Sequence, residues 1–151
     1  MLYISLILIF IFTDQLSKFL TVKYLDEFES VPVVDNILDF THVHNTGGPW
    51  SIFSNTPYIF IVLTIVVFII GIIYLKKHPQ KHILSKISIS LIAGGALGNF
   101  IDRLARGYVV DMIDVNFFNY PVFNVADCYI VVGAVLMSIY VLFVYREDNM
   151  E

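Results

Sequence analysis

One cysteine, Cys128, is all that the 151 residues contain, which excludes an internal disulfide and a cysteine-based metal framework. It sits in an apolar run with no histidine nearby and reads as a small packing residue. Charge is scarce as well. Charged residues make up 15% of the chain against 58% hydrophobic, and the mean hydropathy of +0.78 lies outside the soluble globular range. The few basic residues form no groove or stripe, and the net charge is -4, so nucleic acid is not an expected partner. No HExxH motif or cysteine set is present, and no metal or organic cofactor is implied.

What is present is apolar sequence in pieces long enough to cross a bilayer. Four segments of roughly 18 to 22 residues stand out: Met1 to about Tyr24, Pro57 to Leu75, Ile83 to about Leu104 and about Val125 to Tyr145. The expectation is an all-α membrane protein, one domain over residues 1–151. Pro57 to Leu75 has no charged residue and looks like scaffold. The loop KKHPQKH carries Lys76, Lys77 and Lys81, with Lys86 just beyond, whereas Asp26 to Thr56 has no lysine or arginine. That loop should be cytoplasmic, both termini with it, and Asp26 to Thr56 and Ala105 to Asn124 should face outward. Arg103 and Arg106 run against this assignment, but they are outnumbered by the four lysines. The first segment lacks a basic start and a small-residue cleavage site, so it is read as retained rather than as a signal peptide.

The stretch from Gly94 to Asp127 sets Asp102, Asp111, Asp114 and Asp127 beside or inside apolar sequence. An ionisable group at membrane depth costs at least about 2.5 kcal/mol and marks a functional site until a partner explains it. Asp102 pairs by spacing with Arg106, or with adjacent Arg103. Asp14 and Lys18 are four apart, acid first, and should neutralise each other as a structural pair or with a snorkelling lysine. Gly94 and Gly98, in GxxxG spacing, predict close helix packing, with Asn99 one residue beyond. In GYVVDMIDV the alternation puts Asp111 and Asp114 on opposite faces of an extended segment. Asp127 follows Asn124 by three residues, the spacing of a helix cap with an acid in the first turn.

In the outer segment, Phe40 to His44 alternate and NTGG, Asn45 to Gly48, breaks the pattern, predicting a strand and a turn. His42 and His44 would share a face and could begin a metal site, but no third ligand is evident. Asn45, Gly47 and Gly48 suit contact with an extended peptide, and Trp50 and Phe53 suit the membrane interface.

For chemistry, the pair that stands out is Asp111 and Asp127, both near the outer interface. Two carboxylates sharing a site cannot both ionise easily, so one holds a proton while the other acts as base, the chemistry of aspartic proteases. Capping is the competing role for Asp127. A serine/lysine dyad would need Lys18 neutral, and Asp14 beside it keeps it charged.

These residues resemble the lipoprotein signal peptidase (signal peptidase II) family of bacterial intramembrane aspartyl proteases. The resemblance runs through DQLSK (Asp14 to Lys18), HNTGG (His44 to Gly48), GNFIDR (Gly98 to Arg103), GYVVDMID (Gly107 to Asp114) and FNVAD (Phe123 to Asp127). It implies four transmembrane helices, a small extracytoplasmic β-sheet cradle and a short amphipathic segment covering the site. It also implies Asp111 and Asp127 as the catalytic dyad, with Asp14, Lys18, Asn45, Gly47, Asn99, Asp102, Arg103 and Asn124 shaping and supporting the site. The implied substrate is a prolipoprotein bearing a diacylglyceryl group on its cysteine, cut on the amino side of that cysteine. The chain departs from the family pattern at Gly48 and Pro49, where two alanines are usual, which bears on how that loop grips substrate. It is expected to be a monomer in the inner membrane of a bacterial cell, surrounded by membrane lipids. The alternative is a small transport component using Asp14, Lys18, Asp102 and Asp111 as a proton or ion relay.

Overall fold

The computed structural model describes residues 2–48, 50, 52–117 and 120–145. Four helices follow the apolar segments: α1 (Leu2–Tyr24), α2 (Pro57–Lys77), α3 (Ile83–Arg106) and α4 (Val125–Ile139), the last continuing as a π-helical turn, Tyr140–Val144. All four, with that turn included, are long and apolar enough to cross a membrane. Their ends follow local chemistry. Pro57 opens α2, where its missing N–H is no loss, and the His82 side chain caps α3 by accepting from the Leu84 N–H.

Gly107 ends α3 with φ +80°, a left-handed conformation that other residues adopt at a cost of about 1–2 kcal/mol. A Cβ there would meet nothing within 4 Å. Gly107→Ala should therefore lower the unfolding temperature by only about 2–8 °C and leave activity intact. A larger fall in a thermal melt would contradict a purely conformational role.

Burial is inverted relative to a water-soluble protein. Among the described residues, eleven polar or charged side chains are buried against six apolar ones, while α2 buries none of its side chains. The apolar side chains face outward, as a lipid solvent requires, and the interior is held by hydrogen bonds and ion pairs. Helix α3 is the centre, packing on α1, α2 and α4. Its glycines permit this: a Cβ on Gly94 would lie 2.6 Å from the Phe10 Cβ of α1, one on Gly98 would strike the Asp14 carboxylate, and one on Gly95 would strike the Ala126 carbonyl of α4. The GxxxG expectation holds.

Three antiparallel strands form the small sheet, β1 (Ser30–Val34), β2 (Leu38–Asn45) and β3 (Val109–Val115), in that spatial order. The strand and turn expected around Phe40 to Gly48 are thus present. Between the pairs Phe40↔Ile113 and Val43↔Asp111, Thr41 and His42 oppose Met112 alone, a β-bulge of the kind that bends and re-aims a strand. Phe123 then bridges to Ile113, with both the Met112 and Ile113 N–H groups donating to its carbonyl at 2.9 and 2.8 Å. That pairing holds the start of α4 against β3 and so brings its first turn to the strand that carries Asp111.

Candidate active site

Asp111, 2% exposed, leaves β3 on the face opposite Asp114, as the alternation required. Asp114 accepts from the Thr41 hydroxyl at 3.2 Å. The two oxygens of Asp111 are held by two asparagines: Asn45 Nδ2 donates to Oδ2 at 2.9 Å and Asn124 Nδ2 donates to Oδ1 at 2.6 Å. Asp127 lies in the first turn of α4, half-buried. Its Oδ1 accepts from Asn99 Nδ2 at 2.8 Å and its Oδ2 from the Asn124 N–H at 3.2 Å.

Asn124 therefore touches both carboxyl groups. It caps α4 in a reciprocal box with Asp127, accepting the Asp127 N–H at 3.0 Å, while its NH2 group turns to Asp111. Capping and site assembly, competing readings for the sequence, are the same contact. The three amide orientations follow from chemistry. Each asparagine Oδ1 faces a group that can only donate: the Gly47 N–H at 2.9 Å for Asn45, the Asp127 N–H for Asn124, and Lys18 Nζ at 2.8 Å for Asn99. All four carboxylate oxygens consequently receive an N–H donor.

Burial raises the Asp111 carboxyl, the negative charge of Asp127 raises it further, and the Asn45 and Asn124 hydrogen bonds pull back, leaving it pushed up to about 7. A carboxyl group whose proton affinity is raised toward neutral pH beside a second carboxyl group is an arrangement suited to acid–base hydrolysis.

The residues expected to support the site lie around this pair. Lys18 Nζ sits 2.9 Å from both Asp14 Oδ2 and Asp102 Oδ2, all three side chains fully buried. The snorkelling reading of Lys18 is therefore wrong: a lysine two-thirds along α1 turns inward because two carboxylates and an amide oxygen offset the loss of water. Asp102 does meet Arg106, at 3.7 Å, but Lys18 is its closer partner, and no spacing within α3 could signal a partner on α1. Arg103 instead donates to the Gly47 carbonyl at 3.0 Å, with its guanidinium 4.7 Å from the Phe60 ring centre. Gly47 is held tightly, since a Cβ there would lie 2.7 Å from the Ile52 carbonyl. At Gly48 a Cβ would meet the tip of the Phe60 ring at 2.8 Å; Pro49 lies outside the described residues.

Sequence reasoning missed Gln15, whose amide donates to Asp14, to the Gly98 carbonyl and to Asp102; adjacency to Asp14 was the only available signal. His42 and His44 do lie together, edge to face at 4.8 Å. His42 Nδ1 meets the Leu25 carbonyl, and His44 meets Glu27 and stacks on Tyr108. Among the described residues no group of three side chains is arranged to hold a metal ion. An ion relay needs ionisable groups spread through both leaflets. Here the buried charges Asp14, Lys18 and Asp102 pair with one another rather than spreading along a path, and the relay reading has no support.

A family model described as signal peptidase (SPase) II matches residues 6–143. The lipoprotein signal peptidase of Bacillus velezensis is 44% identical over 146 residues, covering 95% of each chain. Two solved structures, each described as a bacterial membrane enzyme obtained by the in meso method, are similar at 33% identity. One, at 2.3 Å resolution, has a TM-score of 0.86 and covers 93% of this chain and 87% of its own. The other, at 1.9 Å, has a TM-score of 0.84 and covers 94% and 93%. With four helices apolar enough to cross a membrane and a match over nearly its whole length, this multi-pass membrane protease belongs to the signal peptidase II family.

Proposed function

We propose that the chain is a single membrane-embedded aspartic endopeptidase domain that removes signal peptides from diacylglyceryl-modified prolipoproteins, cutting on the amino side of the lipidated cysteine. Membership of the signal peptidase II family supports the substrate class. The observation that carries the mechanism is Asn124, one side chain in hydrogen-bond contact with Asp111 and with the N–H of Asp127.

In this reading Asp127 takes a proton from water, the water oxygen attacks the scissile carbonyl carbon, and Asp111 gives its proton to the carbonyl oxygen. Collapse of the tetrahedral diol breaks the C–N bond. One proton returns to Asp111, the other passes from Asp127 to the leaving amine, and the dyad is restored. Asp14, Lys18, Asn45, Gly47, Asn99, Asp102, Arg103 and Asn124 hold the two carboxyls in place.

The site faces the outer leaflet and both termini face the cytoplasm. Supporting this, the lysine loop between α2 and α3 sits at the opposite end of α3 from Asn99 and Asp102. In this reading the chain works as a monomer.

The test is cleavage of a diacylglyceryl-cysteine peptide against its unlipidated twin by the purified protein. The lipidated peptide should be cut before cysteine and the twin left intact; equal rates on both would refute the substrate assignment. Activity should also fall as pH rises through about 7, because Asp111 then loses the proton that the carbonyl oxygen must receive. A flat profile of kcat/KM from pH 6 to 9 would contradict that role.

A further inference from the structure

We propose that Lys18 is a positioning residue of the dyad, acting by turning the Asn99 amide so that its NH2 group faces Asp127. The proposal rests on the aspartic peptidase reading above and adds to it how the base is oriented.

An asparagine amide is nearly symmetrical in shape, and sterics alone do not choose between its two orientations. Turned the wrong way, Asn99 would set a carbonyl oxygen against a carboxylate oxygen. The Lys18 ammonium removes that choice because it has three donors and no acceptor. Its three donors meet three acceptors, Asp14 Oδ2 and Asp102 Oδ2 at 2.9 Å and Asn99 Oδ1 at 2.8 Å, and the side chain has no exposure at all. Pairing with two carboxylates already more than offsets the lysine charge. The third donor has a different consequence: it leaves Asn99 Nδ2 to donate to Asp127 Oδ1 at 2.8 Å.

A second line runs the same way. Asp14, held by Lys18 through Oδ2, accepts the Ala126 N–H at 3.0 Å through Oδ1. One ammonium thus reaches Asp127 through its side-chain partner and through the helical turn that carries it. No other cation on α1 lies in this position. Arg103 and Arg106 approach from α3, Arg103 binding the Gly47 carbonyl and Arg106 binding Asp102, and neither takes the Asn99 side-chain oxygen.

The experiment is a double-mutant cycle on kcat and KM with the lipidated peptide, using Lys18→Met, Asn99→Leu and the combination in the full-length protein. Wild-type protein must cleave and Asp127→Asn must not; if either condition fails, the peptidase reading falls, independently of Lys18. Given both, Lys18→Met should lower kcat about 10²-fold with KM within twofold of wild type. In the Asn99→Leu background it should cost far less, because the amide route to Asp127 is already cut and only the route through Asp14 and the Ala126 N–H remains. Wild-type kcat with a lowered melting temperature, or losses that multiply in the combination, would overturn the proposal and leave Lys18 a structural ion-pair partner.

Removing Lys18 alone strands two buried carboxylates, so a second comparison is Lys18→Met/Asp102→Asn against Asp102→Asn. The double variant removes one charge of each sign. It should fold and turn over more slowly than Asp102→Asn. Equal turnover, or failure of both Lys18 variants to fold, would assign Lys18 to structure and overturn the proposal.

Discussion

Asp127→Asn and Asp111→Asn will each cut the lipidated peptide at least about 10²–10⁴ times more slowly than wild type, the contribution usual for a positioned acid or base, while substrate still binds. Asparagine matches the shape of aspartate but carries no proton that it can take or give at neutral pH. The hydrogen-bond pattern sharpens the expectation. Both oxygens of Asp111 accept from asparagine NH2 groups, so an amide there must set one of its own N–H groups against a donor. At Asp127 the donors are Asn99 Nδ2 and the Asn124 N–H, with the same result. A buried mismatch of this kind costs about 1–3 kcal/mol, partly offset by relief of the repulsion between two carboxylates. Both variants should therefore remain folded in a thermal melt, which separates lost chemistry from lost structure. Processing at the wild-type rate in either variant would remove the dyad.

Gly95→Val will lower the unfolding temperature by about 2–12 °C, and activity will fall with it. The first added carbon would overlap the Ala126 carbonyl oxygen and lie 2.9 Å from Ile130 Cγ1. The first obstacle is backbone and cannot rotate away, so α4 must move off α3. Overpacking of this kind costs about 1–3 kcal/mol, and each kcal/mol is about 2–4 °C in a chain of this size. Because Ala126 precedes Asp127, the displacement reaches the proposed base, and a shift of about 1 Å at a reacting group costs about 10²-fold in rate. Gly71→Val is the control. It lies on α2 with nothing within 4 Å of its added carbon, and it should change neither melting nor turnover. Equal behaviour of the two variants would show that α3 and α4 are not in close contact at Gly95.

The helices were legible because a bilayer imposes one requirement, unbroken apolar length, that composition meets openly. Helix α2 follows Pro57 to Leu75 almost to the residue, and the GxxxG spacing of α3 marked its packing face correctly. Asn124 was readable as a cap because caps are local. The Asp14 and Lys18 pairing was readable for the same reason, being one helical turn apart. The third partner was not: Asp102 lies 84 positions beyond Lys18, and its own neighbours, Arg103 and Arg106, offered a satisfactory local explanation. The bulge at Thr41 and His42 was equally hidden, since it depends on which residues of β3 lie opposite.

By itself the sequence determined a four-span membrane protein and which few polar residues needed explaining, because hydropathy and charge are summed residue by residue along the chain. Only the tertiary structure decided which of those residues meet. Phe123 pairing with β3, the close approach of α4 to Gly95 and the inward turn of Lys18 are contacts between distant segments. The orientation of three asparagine amides depends on the donors those contacts deliver.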